Sequence, residues 1–262
     1  MVAFIDSHAH LDGPDFDADR EEVVERARAA GLTHVVCIGA SDGFESNQRT
    51  LDFVDGREGY FASVGVHPHD ARILTAEMLE ALERMAGHPQ VVAIGESGLD
   101  YYYDQSPRQA QRDAFRRFLD LAHRTEKPLI VHTRDAEEDT VDILRDGRIE
   151  EIGGVLHCFT GTQALADAAV ELGMYVSFSG ILTFKSAGAL RDVARSLPRD
   201  RVLIETDCPY LAPVPKRGKR NEPSYVVHTA QQLAELWDTD VEDVKRTTGT
   251  NALRFFGLSE NT

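Results

Sequence analysis

Short runs of apolar, mostly β-branched residues alternate along this chain with longer amphipathic segments. Short apolar runs are typical of strands buried on both faces, and the longer segments carry apolar residues at helical spacing. This alternation predicts repeated βα units around a parallel sheet. Eight strand-like runs are found, at residues 2–6, 33–39, 60–66, 91–95, 129–132, 154–158, 174–179 and 201–206.

The segments between these runs predict a helix after each strand. Residues 107–126 illustrate the pattern, with Ser106 as the expected N-cap and Pro107 as the expected first helical residue. The full set of expected helices is 19–30, 43–54, 75–86, 107–126, 136–146, 162–172, 186–196 and 224–237, with further helical character at 240–256.

Eight βα pairs fit a closed TIM-like (β/α)8 barrel, an α/β fold in which one domain reaches the 262 residues of this chain. Because no Ser-, Pro- or Gly-rich linker interrupts the pattern, we expect a single domain over residues 1–262. An open doubly wound sheet is the alternative. That fold commonly has a G-x-G-x-x-G turn after its first strand, and here Asp6-Ser-His-Ala-His10 occupies that place.

Residues of the types that bind metals follow several of the strand-like runs. The carboxyl ends of parallel strands converge on one face of a barrel, so we expect these side chains to share one pocket. A mononuclear catalytic zinc site uses three protein ligands, and this larger set therefore favours two divalent cations. The candidate ligands are His8, His10, Glu96, His132, His157 and Asp207.

The local spacing suggests roles for some of these residues. His8 and His10 are two positions apart, so they point to the same side of a strand. Asp6 shares that side and is expected to accept an imidazole N–H. Glu96 lies between glycines and is expected to bridge two cations. Glu205 shares a strand side with Asp207 and is expected to support it. The mixed nitrogen and oxygen ligands suit Zn, Mn or Co, with Mg at a more oxygen-rich position.

The charge of the chain limits how it could bind a polyanion. Lys and Arg number 28 against 44 Asp and Glu, giving a net charge of −16, which repels nucleic acid at long range. One dense basic cluster follows the last strand-like run, comprising Lys216, Arg217, Lys219 and Arg220. We expect it to contact backbone phosphates, the alternative being a solvated surface loop. Tyr101, with the two tyrosines after it, is a candidate for stacking on an unpaired base.

The sequence gives no sign of a membrane protein or a secreted one. No apolar run approaches the roughly 20 residues that cross a bilayer, and no secretory signal is visible, so we expect a cytoplasmic protein. Cys37, Cys158 and Cys208 lie in or beside strand-like runs without CxxC spacing. They are expected to be reduced thiols that pack as small hydrophobic residues.

The chain resembles the TatD-family metal-dependent deoxyribonucleases of the amidohydrolase superfamily. The resemblance spans nearly the whole sequence through an ordered series of motifs. These are Asp6-Ser-His-Ala-His10, Gly65-Val-His-Pro-His69, Gly95-Glu-Ser-Gly-Leu-Asp100 with Tyr101-Tyr102, Pro128-Leu-Ile-Val-His-Thr-Arg134, Gly153-Gly-Val-Leu-His-Cys-Phe-Thr-Gly161, Ser177-Phe-Ser-Gly180, Glu205-Thr-Asp-Cys-Pro-Tyr-Leu211 and Gly218-Lys-Arg-Asn-Glu-Pro223.

This resemblance implies a TIM-like barrel and a divalent-metal phosphodiesterase, typically a 3′→5′ exonuclease on single-stranded DNA or RNA. It also implies one metal held by His8, His10, Glu96 and Asp207, and a second held by Glu96, His132 and His157. Many amidohydrolases use a carboxylated lysine as the bridge, and in this chain Glu96 takes that role.

From this site we expect Asp207 to accept a proton from the attacking water. His67 is a candidate donor to a phosphate oxygen or to the leaving oxygen, the alternative being a structural histidine in a Pro-stiffened turn. Two other functions remain open: a hydrolase of another bond, such as a D-aminoacyl-tRNA ester or a small amide, and a non-catalytic binding barrel.

Overall fold

The computed structural model describes residues 3–259 and contains eight parallel strands, each paired with the next along the chain. Each of the eight predicted strands is present, with ends shifted by a few residues. The start of the first predicted strand, Val2, lies outside the described residues. The strands are β1 (Phe4–Ala9), β2 (Leu32–Ile38), β3 (Tyr60–Val64), β4 (Val91–Asp100), β5 (Leu129–Arg134), β6 (Gly154–Leu156), β7 (Tyr175–Phe178) and β8 (Val202–Ile204).

The first and last strands approach each other and nearly close the sheet. Ala9 forms a parallel bridge with Cys208, and the amide of His10 donates to the Cys208 carbonyl at 2.8 Å. The amide of Asp207 likewise donates to the carbonyl of His8 at 2.9 Å. The predicted (β/α)8 barrel is therefore confirmed. The doubly wound alternative is wrong because strand order follows chain order without a reversal.

A helix follows every strand, as predicted. The helices are α1 (Arg20–Ala29), α2 (Ser46–Val54), α3 (Ala76–Ala86), α4 (Arg108–Thr125), α5 (Glu137–Asp146), α6 (Gln163–Glu171), α7 (Gly188–Ser196), α8 (Val226–Trp237) and α9 (Val241–Phe256). One detail differs from the prediction. Pro107, whose ring has no hydrogen-bond acceptor, is the N-cap of α4, and the Ser106 hydroxyl donates to the carbonyl of His69 at 2.6 Å instead of capping the helix.

The amino-terminal end of the barrel is filled with apolar side chains. Phe255 of α9 packs against Tyr175, at the start of β7, with ring centroids 5.2 Å apart, and Phe256 belongs to the same buried cluster. A larger apolar layer fills the space between strands and helices and includes Phe115 and Phe118. Because one end of the barrel is sealed by hydrophobic packing, polar residues of the interior collect at the other end.

The three cysteines of the described residues are free thiols. Cys37 and Cys208 are buried in the apolar layer, and Cys158 is partly buried. No helix among residues 3–259 is long and apolar enough to span a bilayer.

Candidate metal centre

Strand β1 brings two histidines to the carboxyl end of the barrel beside a carboxylate from the loop after β8. The Nε2 atoms of His8 and His10 lie 3.2 Å apart. Asp207 Oδ1 is 3.7 Å from the first of these nitrogens and 3.4 Å from the second. The close approach follows from barrel closure, since β1 and the segment after β8 are directly hydrogen-bonded.

Glu96 on β4 lies at the centre of the cluster, and its two oxygens face different histidines. Oε2 is 3.3 Å from Nε2 of His8. Oε1 is 2.7 Å from Nε2 of His157, 3.0 Å from Nδ1 of His132 and 3.3 Å from Nε2 of His67. A carboxylate arranged in this way can bridge two cations. The structure thus brings together all six predicted ligands and the candidate proton donor.

A close contact between β4 and β5 allows this arrangement. Gly98 has a φ of 140°, and a Cβ at this position would lie 2.0 Å from the carbonyl oxygen of His132. Any larger residue would push the strand carrying Glu96 away from the strand carrying His132. Gly98 is therefore required by the geometry of the site as well as by its own backbone conformation.

The donor set fits divalent cations. Two pairs of histidines have ring nitrogens that face each other. The distance is 3.2 Å between Nε2 of His8 and Nε2 of His10, and 3.3 Å between Nδ1 of His132 and Nε2 of His157. A neutral imidazole offers one acceptor nitrogen, and two such lone pairs facing each other beside a carboxylate form a typical metal-binding group. Ligand atoms of His8, His10 and Asp207 lie within 4.8 Å of one another, as do those of His8, Glu96 and His157.

The electrostatics keep the carboxylates ionised. Burial acts to raise the pKa of Glu96, but the charge and the hydrogen bond of the neighbouring His157 hold that pKa well below its usual range. Burial likewise opposes ionisation of Asp207, and the hydrogen bond with His10 lowers the pKa below its usual value. Burial lowers the pKa of His67 to about 4, so this ring is neutral. Burial opposes a charge on His157, but Glu96 and Glu205 hold its pKa well above the usual value, so a cation binding at this ring would displace a proton.

A second carboxylate orients His132 from behind. Asp100 Oδ2 lies 3.1 Å from Nε2 of His132 and 2.9 Å from Nε2 of His69. Because a carboxylate only accepts, both histidines donate from Nε2. In the neutral ring, Nδ1 of His132 then keeps its lone pair, which together with Oε1 of Glu96, 3.0 Å away, is available to a cation. His69 is thereby held inside the network rather than facing solvent.

Glu205 and Asp6 have partners other than those expected. Glu205 Oε1 accepts from the Cys158 amide at 2.7 Å and lies 3.4 Å from Nδ1 of His157, so it supports that histidine and not Asp207. Asp6 accepts from the amide and hydroxyl of Thr206, at 2.9 and 2.5 Å, and not from an imidazole. Burial raises the pKa of Asp6 to about 7.

A cleft of about 450 Å³ opens above the cluster. Two tyrosines with exposed rings line it, Tyr103 at 57% and Tyr210 at 59% exposure. Arg134, two residues beyond His132 on β5, lines the same cleft. The outer part of the site is therefore aromatic and basic, while the floor carries the metal-binding groups.

The residues proposed from sequence to bind substrate lie outside this cleft. Arg220 pairs with Asp19 at 2.7 Å, and Arg217 stacks on the ring of Phe184 at 4.0 Å. Lys216 lies 4.8 Å from the ring centroid of Tyr225 in a separate surface depression, and Lys219 is exposed.

Tyr101 is also turned away from the cleft. Its hydroxyl donates to Asp139, which pairs with Arg112.

Three residues of the site, Asp100, Arg134 and Tyr210, were not predicted from the sequence. A signal was present for the first two, since Asp100 is four residues after Glu96 and Arg134 two after His132. Alternation along a strand therefore places each on the same side as a proposed ligand. For Tyr210, in the loop after β8, no comparable periodicity exists.

Comparison with known proteins agrees with this geometry. The family model described as TatD related DNase matches residues 5–257. The chain belongs to this family. It is 42% identical to the uncharacterized metal-dependent hydrolase YabD of Bacillus subtilis, with 97% of this chain and 99% of the relative covered. The 3′-5′ ssDNA/RNA exonuclease TatD of Cronobacter sakazakii is 38% identical, with 94% and 95% covered.

Solved structures agree with the fold. The TatD homologue YjjV of Escherichia coli superposes with a TM-score of 0.91 at 28% identity, covering 98% of each chain. A TatD-family hydrolase from Entamoeba histolytica superposes with a TM-score of 0.85 at 23% identity, covering 97% of each chain. The family match and the relatives found by sequence make the protein a metal-dependent hydrolase, and the expectation of an enzyme is confirmed over that of a non-catalytic barrel.

Proposed function

We propose that this protein hydrolyses phosphodiester bonds of DNA as a 3′→5′ exonuclease on single strands, using two divalent cations, with RNA as a second substrate class. The observation that carries the proposal is the orientation of the Glu96 carboxylate. Its Oε2 faces His8, and its Oε1 faces His157 on the other side. Such a bridge suits paired cations, which enzymes commonly use to hydrolyse phosphate esters.

The ligand sets are those implied by the family resemblance, and Glu96 contacts a histidine of each set. His8, His10, Glu96 and Asp207 would hold one cation, and Glu96, His132 and His157 the other. When bound, the cations lower the pKa of water and neutralise charge on the phosphoryl oxygens. The mixed nitrogen and oxygen donors suit Zn, Mn or Co, with Mg at the more oxygen-rich position.

Side chains of the protein would accept and donate the protons of the reaction. The ionised carboxylate of Asp207 accepts a proton from the attacking water, at the floor of the cleft. His67, 3.3 Å from Glu96, is neutral and exposed enough to reach a substrate, with 19% of its side chain accessible. Its role is to donate a hydrogen bond to a phosphate oxygen or to the leaving oxygen.

Two features support a single-stranded nucleic acid as the substrate. The exposed rings of Tyr103 and Tyr210 line the cleft, where unpaired bases can stack on them. The Cronobacter relative, which matches over 94% of this chain, is named an exonuclease of single-stranded DNA and RNA.

A substrate panel tests the proposal. Metal-loaded protein is incubated with an end-labelled single-stranded oligonucleotide, its duplex, a D-aminoacyl-tRNA, simple carboxylic esters and a small amide, each with and without chelator. We expect chelator-sensitive release of mononucleotides from the 3′ end of the single strand. Turnover confined to the acylated tRNA, the esters or the amide would instead assign the same site to another bond.

A further inference from the structure

We propose that Arg134, whose guanidinium lies beside the rings of Tyr102 and Tyr103, binds a phosphate of the substrate at the mouth of the cleft. The inference rests on the proposed function, because it assumes a polyanionic substrate. An acidic protein needs a local positive charge to bind such a substrate, and Arg134 supplies it.

The position of Arg134 follows from its strand. Arg134 is the last residue of β5 and follows His132 by two positions, so both side chains point to the same side. His132 contributes to the floor of the cleft and Arg134 lines it further out. At about 3.3 Å per residue, the two Cα atoms are separated by about 7 Å along the strand, which places Arg134 nearer the mouth of the cleft than His132.

The guanidinium of Arg134 is free to bind an anion. Within residues 3–259 no carboxylate lies within 4.0 Å of it, whereas Arg220, in the basic loop, is paired with Asp19. Among the described residues that line the cleft, Arg134 is the only lysine or arginine.

Two tyrosine rings hold the guanidinium in place. Its central carbon lies 4.5 Å from the ring centroid of Tyr102 and 5.7 Å from that of Tyr103. Stacking uses the face of the planar group and leaves the N–H groups at its edge available for bidentate contact with phosphate. Because the side chain is already oriented, less conformational entropy is lost when it binds.

The negative net charge of the protein makes a single basic residue at the cleft important for binding a polyanion. With a net charge of −16, the protein gains no long-range attraction for a polyanion, and the floor of the cleft adds the carboxylates of Glu96 and Asp207. A positive group at the mouth would steer a phosphate toward the metal-binding floor. The alternative role for Arg134 is packing of the tyrosine loop without contact to any ligand.

Equilibrium binding separates these roles. The probe is a fluorescein-labelled phosphorothioate oligothymidylate, which keeps the backbone charge and resists cleavage, titrated with metal-loaded protein in an anisotropy assay. We expect Arg134→Gln to weaken binding at least about tenfold, the loss typical of one charge-assisted contact. The slope of log affinity against log salt should fall by about 0.7. Arg134→Lys should keep the slope and recover part of the affinity.

Arg108→Gln is the matched control. Arg108 is also exposed and stacks on a tyrosine of the same run, 4.3 Å from the Tyr101 centroid, but it does not line the cleft. Its binding should match that of wild type.

Equal affinity of Arg134→Gln and wild type, or equal losses in both Gln variants, would overturn the proposal, as would undetectable binding by wild type. Another outcome is that the protein releases no nucleotides from any oligonucleotide while Arg134→Gln alone loses binding. That result would support phosphate binding by Arg134 and refute the nuclease function.

Discussion

Asp100 accepts a hydrogen bond from Nε2 of His132 at 3.1 Å, and this bond fixes the opposite ring nitrogen, Nδ1, as the one that faces the metal-binding cluster. Asp100 is itself ionised. Burial opposes its charge, but hydrogen bonds from His132 and His69 hold its pKa below the usual range. A carboxylate behind a histidine ligand orients the ring and increases its basicity.

Asp100→Asn should therefore weaken cation binding at one of the two proposed metal sites about 10–100-fold while leaving a folded barrel. Competition with a chromogenic chelator measures the affinities. Asp139→Asn is the control, because Asp139 pairs with Arg112 outside the cleft. Unchanged metal affinities in Asp100→Asn would contradict the orienting role.

Elemental analysis of protein saturated with Mn or Zn should give about two ions per chain. Glu96→Ala should lower this occupancy and the turnover together, because it removes the ligand shared by both sites. Metal should also raise the melting temperature, since cations that bind only the folded state stabilise it. A saturating stoichiometry of one ion would rule out the bridged pair.

Asp207→Asn should reduce turnover by at least about 10²-fold without unfolding the protein. The amide has a similar shape to the carboxylate but cannot accept the proton of the attacking water. Metal content is measured on the same sample, because Asp207 is also a proposed ligand. Turnover near that of wild type with both ions bound would exclude Asp207 as the base.

The double variant Arg217→Ser, Lys219→Ser tests the basic loop. Both side chains are exposed, and Arg220 is left intact because it pairs with Asp19. If the loop extends the binding surface beyond the cleft, KM should rise for a long oligonucleotide and its salt dependence should flatten. A dinucleotide provides the short comparison. An unchanged KM for the long substrate would assign the loop to solvent.

We expect buried His34 to lower the stability of the protein as the pH becomes acidic. It is buried in β2 beside Phe61, with ring centroids 5.6 Å apart, and burial lowers its pKa. The unfolded chain therefore takes up the proton first, so the contribution of His34 is complete above about pH 6.5 and declines as the pH falls below that value.

Urea unfolding of wild type and His34→Gln between pH 7.5 and 5 measures this effect. The free energy of unfolding of wild type should fall more steeply, by at most about 1.4 kcal/mol per pH unit. Parallel curves for the two proteins would show that His34 does not titrate differently on folding.

The sequence by itself determined the barrel and the clustering of its candidate metal ligands. Apolar runs and amphipathic segments are local patterns, and eight such pairs leave few ways to bury every apolar face. His8, Glu96 and His157 could be predicted to share one site because side chains at the carboxyl ends of parallel strands converge whatever the exact register.

The tertiary structure decided the contacts that depend on loops. Tyr101 and Tyr103 are two residues apart, yet one donates to Asp139 and the other lines the cleft. Glu205 supports His157 rather than Asp207 because the residues that follow β6 and β8, on either side of β7, face each other in the barrel interior. Such choices depend on packing between segments far apart in the chain, and a local pattern carries no information about the direction in which a loop side chain will point.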